Sequence, residues 1–190
     1  MLFEIDRLLT LVDKTENNLR LIERFNGNFA LPVLNEWRYS TRHILVANFK
    51  SDDAAAEANV RAMRHLQRAY FDSCDLLIDC LLTEIRTRKE SYRGYEATVL
   101  AVFPEYSEVL AKVRRSSTEV DCILSDKEHA REEKYLLLEP VIKELEEVVA
   151  VFDDHEVAVN IAIKKAWFKF VWQILIGLSS MAALIVAILK

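Results

Sequence analysis

The sequence predicts an all-α protein, a cytosolic helical bundle followed by a single C-terminal transmembrane helix. Two observations carry this. Glycine and proline together supply six of 190 residues, about 3% against roughly 12% in average usage, which is far too few turn residues for a β-rich chain. The stretch from Phe170 to Leu189 then reads FVWQILIGLSSMAALIVAIL, without a charge. As a helix it is about 30 Å long, the thickness of a hydrocarbon core. Its eleven Leu, Ile, Val and Phe residues favour insertion by about 5 kcal/mol in total.

Each element follows from periodicity and punctuation. Apolar residues at Ile5, Leu8, Leu9, Val12, Leu19 and Ile22 predict a first helix over 2–25, and the Asn26–Pro32 segment a connector. A second helix is expected over 33–49. Lys50-Ser51-Asp52-Asp53 offers a cap for a long third helix over 54–91, broken at Gly94. Pro104 suits the first turn of a fourth helix reaching Leu124, and Ser125-Asp126 caps a fifth through Val151, interrupted at Pro140. Asp153-Asp154 is expected to start a last helix running from His155 to Leu189. The resulting division is a bundle over 1–152, a connecting helix over 153–169 and a span over 170–189.

Charge is segregated along the chain. Residues 126–156 hold 11 acids and 4 bases, whereas residues 157–190 hold only Lys164, Lys165, Lys169 and Lys190. The three lysines beside Trp167 and Trp172 form a basic and aromatic flank, so the positive-inside rule places the N-terminal domain in the cytoplasm. The acidic opening MLFEIDRLLTLVDK is not a secretory signal. A net charge of −5 makes nucleic acid an unlikely partner in this reading. Cys74, Cys80 and Cys122 form no CxxC pair, which argues against a disulfide framework or a zinc site. No cofactor or metal is expected. A Gly-rich phosphate loop, a nucleophile elbow and HExxH are all missing from the sequence.

Three groups of residues stand out. Arg38 and His43 fit an R-x4-H spacing. On the third helix His65, Arg68, Asp72, Asp75 and Asp79 recur at helical spacing, and Arg38 and Arg42 form a facing stripe on the second. Pairing of these arginines with the three aspartates in a half-buried network is expected, and the same network offers a surface for a protein partner. In the last helix Ser179, Ala183 and Ala187 form a small-residue stripe, with Gln173, Gly177 and Ser180 as a mildly polar line beside it. Both suit contact between neighbouring helices of a homo-oligomer in a lipid bilayer.

The segment Ala58–Asp79, ANVRAMRHLQRAYFDSCDLLID, together with Asn35–Asn48, resembles helices of HEPN-type and other small defence-associated bacterial proteins. Members of the HEPN family cleave RNA with an Arg and a His from R-x4-6-H brought together at a dimer interface. The resemblance thus implies Arg38 and His43 as a catalytic pair. The chain departs from the family in placing the motif before the long helix and in carrying Tyr39 directly after the arginine. The reading that fits most features is a membrane-anchored helical interaction protein, with an oligomerising, membrane-disrupting effector of a defence or toxin system as its sharper form. The alternatives are a membrane-tethered HEPN-like ribonuclease and a tail-anchored structural adaptor.

Overall fold

The computed structural model describes the backbone of residues 2–26, 30–50 and 52–188 and the side chains of 5–25, 30–50 and 53–181. Six helices account for it: α1 (Leu2–Asn26), α2 (Leu31–Ala47), α3 (Asp52–Ser91), α4 (Glu96–Val102), α5 (Tyr106–Ser125) and α6 (Arg131–Ile188). The all-α reading holds.

Several boundaries differ from the sequence expectation: α2 starts at Leu31 and takes Pro32 into its first turn, α4 is an additional short helix, and α6 starts at Arg131 rather than at Ser125-Asp126. Pro104 lies in a turn between α4 and α5 rather than in the first turn of the helix that reaches Leu124. Phe103 is fully buried at this corner, and its N–H donates to Val99 O at 2.8 Å. The fifth and sixth predicted helices are one 58-residue helix that continues through Pro140. Proline removes one backbone hydrogen bond there, but Pro140 and Leu136, whose carbonyl loses its donor, are both exposed, so water can take its place. Asp153 does not cap a new helix, because its carboxylate takes Arg88 at 2.6 Å.

The expected transmembrane helix is corrected. Among the described residues no helix is long and apolar enough to cross a membrane. The described uncharged run, Phe170 to Met181, is twelve residues, about 18 Å of helix against the roughly 30 Å of a hydrocarbon core. Lys164, Lys165 and Lys169 stand immediately before it. The remainder of the expected span, from Ala182 onward, lies outside the described side chains. A single-pass membrane location with a cytoplasmic N-terminal domain loses its support with the span.

The chain divides into two compact units, residues 1–84 with 115–147 and residues 85–114 with 148–190. In the first, α3 presents Ala62, Leu66, Ala69, Ser73, Leu77 and Leu81 at three- and four-residue steps, all almost wholly buried. The same unit also buries Ile22 of α1, Val33 of α2 and Leu138, Val141 and Leu145 of α6. Full burial of a Leu or Ile side chain contributes about 1.5–3 kcal/mol, so Leu66, Leu77 and Leu81 of α3 and Leu138 and Leu145 of α6 are major contributors to this unit's stability.

The second unit is built on aromatic rings. Phe103 meets Phe152 edge-on at 5.7 Å, Tyr92 meets Tyr106 at 5.9 Å, and the His155 imidazole stacks on Phe103 at 4.1 Å. The chain enters this cluster through a turn at Gly94, whose φ of +84° favours a residue without Cβ. The Gly94 N–H donates to the Glu96 carboxylate at 3.0 Å and holds that carboxyl below its usual range.

Candidate functional site

The α2–α3 face of the first unit gathers most of the residues that the sequence singles out. Two small side chains set its register: the Ser40 hydroxyl, buried, donates to the carbonyl of Ala62 at 2.9 Å, and Ala62 is itself fully enclosed. One turn to either side, longer side chains meet across the seam. His65 Nδ1 donates to Glu36 at 2.7 Å, Arg68 approaches the same carboxylate at 3.7 Å, and Tyr39 packs on His65 at 5.5 Å. His43 stacks on His65 with centroids 5.3 Å apart and planes 11° from parallel. Arg38 lies over the Tyr39 ring at 5.2 Å.

Arg38 and His43 therefore belong to one cluster, linked through the rings of Tyr39 and His65. The His43 imidazole is held below the usual histidine range, first by burial and then by the positive charges of His65, Arg61 and Arg42. Neutral His43 is the favoured form near pH 7.

The aspartates of the expected network find their partners on α6. Arg131 approaches Asp72 at 3.5 Å while its guanidinium covers the Phe71 ring at 5.1 Å. The Tyr135 hydroxyl donates to Asp75, lying 2.7 and 2.8 Å from its two oxygens. Burial raises the Asp72 carboxyl above its usual range, with Arg131 opposing. Asp79 is exposed on the same helix. The pairing drawn from the sequence, Arg38 and Arg42 with these aspartates, thus gives way to Arg131 and Tyr135. Glu36 and Arg61, absent from the sequence reading, and Tyr39, noted there only as a departure from the HEPN pattern, complete the α2–α3 cluster. A signal for two of them was present: Glu36, Tyr39 and His43 recur at i, i+3 and i+7, one stripe of a helix.

A second polar group lies among α1, α3 and α6 of the same unit. The Tyr70 hydroxyl donates to Glu139 at 2.6 Å, and Lys14 pairs with the same carboxylate. Asn18 donates to Ser73 at 2.9 Å and to the Cys74 sulfur at 3.3 Å. Two clefts of about 200 and 180 Å³ share Lys14 and Tyr70 in their walls, each below the roughly 300 Å³ at which organic-ligand pockets begin. Burial pushes the Cys74 thiol up to about 11 and the Tyr70 phenol far above its usual value, so neither is a nucleophile or base near neutrality. Among the described residues no three His, Cys, Asp or Glu side chains come together as metal ligands.

The distal part of α6, within the second unit, is exposed. From Val157 to Met181 eleven large apolar side chains face solvent, Trp167, Phe168, Phe170 and Trp172 among them at 55–65% exposure. At 100° per residue they occupy an arc of about 240°. The remaining stripe carries Ala166, Lys169, Gln173, Gly177 and Ser180 and continues the side that buries Phe152 and Val159. A Cβ at Gly177 would meet nothing within 4 Å. The hydroxyls of Ser179 and Ser180 donate back to Ile176 O at 2.9 Å. Of the expected helix-contact residues, Ala183 and Ala187 lie outside the described side chains.

No protein-family model, no curated protein and no solved structure matches this chain.

Proposed function

We propose that this protein is a helical interaction protein that assembles with copies of itself through the distal part of α6. The observation that carries the reading is the uncovered apolar arc from Val157 to Met181. Contiguous apolar surface on this scale marks an interaction site. The four aromatic side chains, 55–65% exposed, bring about 350–600 Å² to an interface, and the seven other exposed apolar side chains carry the area toward the roughly 800 Å² per partner of a standard stable contact.

The width of the arc sets the stoichiometry. A helix pairing with one neighbour buries a stripe on the order of 100° wide, whereas this arc spans about 240°. Each helix then needs two neighbours, which gives a closed assembly of three or more chains. The stripe of Lys169, Gln173, Gly177 and Ser180 is left on the one side that no neighbour covers.

Chemical cross-linking of the purified full chain tests this. A ladder reaching at least three chains is expected. Phe168→Asp combined with Leu175→Asp, one heptad apart on the apolar arc, should collapse the ladder to a single chain, whereas Gln173→Asp on the polar stripe should preserve it. Circular dichroism checks that all variants keep their helices. A single band for the unmodified chain, or a ladder indifferent to the Phe168 and Leu175 substitutions, contradicts the proposal.

A further inference from the structure

The α2–α3 seam carries a local charge opposite to that of the chain. Arg38 and Arg42 lie one turn apart on α2, and Arg61, Arg64 and Arg68 fall within an arc of about 60° on α3. Between these two rows run the rings of Tyr39, His43 and His65. All five arginines are exposed, in a protein whose net charge is −5.

The acids nearby do not neutralise them. Glu36, with its side chain only 17% exposed, is shared between His65 and Arg68. Glu57 pairs with Arg61 at 2.5 Å, but both side chains are more than half exposed, so this i,i+4 contact is weak and readily exchanged. Asp72, a turn beyond Arg68, is taken by Arg131. Arg42 and Arg64 meet no carboxylate among the described residues. Five guanidiniums against two carboxylates leave the seam positive.

We infer that this seam is a phosphate-binding site, in which Arg42, Arg61 and Arg64 hold the oxygens of a phosphate group over the His43 and Tyr39 rings. Guanidinium forks match phosphate oxygens in geometry and charge. The Tyr39 ring, 39% exposed, offers a flat apolar floor beside them. Burial is the first cause of the lowered His43 titration, and the charges of His65, Arg61 and Arg42 add to it in the same direction. Two sources supply such a group: a free polyphosphate or nucleotide, and the backbone of a single-stranded nucleic acid. The site is independent of the assembly through α6.

The test follows the His43 ring protons of the full-length protein by NMR while inorganic pyrophosphate is added, and in a parallel arm an unphosphorylated single-stranded oligonucleotide. A bound phosphate replaces the positive field with a negative one, so the His43 pKa is expected to rise in at least one arm. The replacement Arg42→Gln with Arg64→Gln, which keeps the aliphatic stems and breaks no ion pair, should weaken that ligand about tenfold or more. Arg7→Gln, on α1 and paired with Glu132, should leave it unchanged. A stronger response to pyrophosphate assigns the free ligand, and a stronger response to the oligonucleotide assigns the strand. If His43 fails to respond to either ligand at about 10 mM, or if the double variant binds as the unmodified protein does, the assignment is overturned.

Discussion

The Tyr135 hydroxyl reaches both oxygens of Asp75, at 2.7 and 2.8 Å, and so ties the first part of α6 to the middle of α3. Tyr135 is almost wholly buried and stacks on Phe71 at 4.3 Å, so its ring is held by the core while its hydroxyl reaches the exposed carboxylate. Tyr135→Phe keeps the stack and removes only the hydrogen bond. A loss of about 1–2 kcal/mol is expected, measured by urea unfolding. An unchanged midpoint would show that water serves Asp75 equally well.

The phenols set an alkaline limit on the fold. Burial raises the pKa values of Tyr70, Tyr92, Tyr106 and Tyr135, and the carboxylates Glu139 and Asp75 raise those of Tyr70 and Tyr135 further. The unfolded chain ionises these groups near pH 10. Because the folded values lie higher, their contribution is complete below about pH 10 and is lost as pH climbs through the folded values. Absorbance at 295 nm should therefore show these four phenols ionising together with the loss of helical circular dichroism. Six tyrosines titrating near pH 10 with the helices intact would contradict this.

Thiol reactivity separates the three cysteines. Cys74 is buried with its thiol pushed up to about 11, Cys80 is buried and also raised, and Cys122 is exposed. With a disulfide-exchange reagent at about pH 8, one thiol per chain is expected to react quickly and two only on unfolding. Cys122→Ser should abolish the fast phase, and its survival would contradict the assignment.

The core residues give the largest stability effects. Leu77→Ala and Leu145→Ala, both fully enclosed in the first unit, should each cost about 2–5 kcal/mol. Phe152→Ala, at the centre of the aromatic cluster in the second unit, should cost about 3–5 kcal/mol. Leu100→Ala, 40% exposed on α4, should fall well below these values in the same unfolding experiment.

How far the sequence could be read depends on the range of the interaction involved. Helix identity is local: scarce glycine and proline, the cap at 50–53 and the break at Gly94 predict a helix over 54–91, within two residues of the observed Asp52–Ser91. The continuity of α6 was hidden because Pro140 and the Asp153-Asp154 pair carry local signals for an end and a start. A surface position for Pro140 and the long-range partner Arg88 for Asp153 override them. The arginine–aspartate network was misassigned for a similar reason. Periodicity places Asp72 and Asp75 on one helix face, but only packing decides that Arg131 and Tyr135 of α6 reach them before Arg38 and Arg42 do. The C-terminal apolar run reads in the sequence as a transmembrane helix, because composition alone does not separate a membrane span from a helix face left uncovered. Its described part, preceded by Lys164, Lys165 and Lys169 and twelve residues long, does not amount to a transmembrane helix.

The most direct test of the account is the solution mass of the purified full chain by light scattering, beside Phe168→Asp/Leu175→Asp. A mass of three or more times 22.0 kDa that falls to 22.0 kDa in the double variant is the predicted result. A full chain that elutes at 22.0 kDa with its helices intact would contradict assembly through α6.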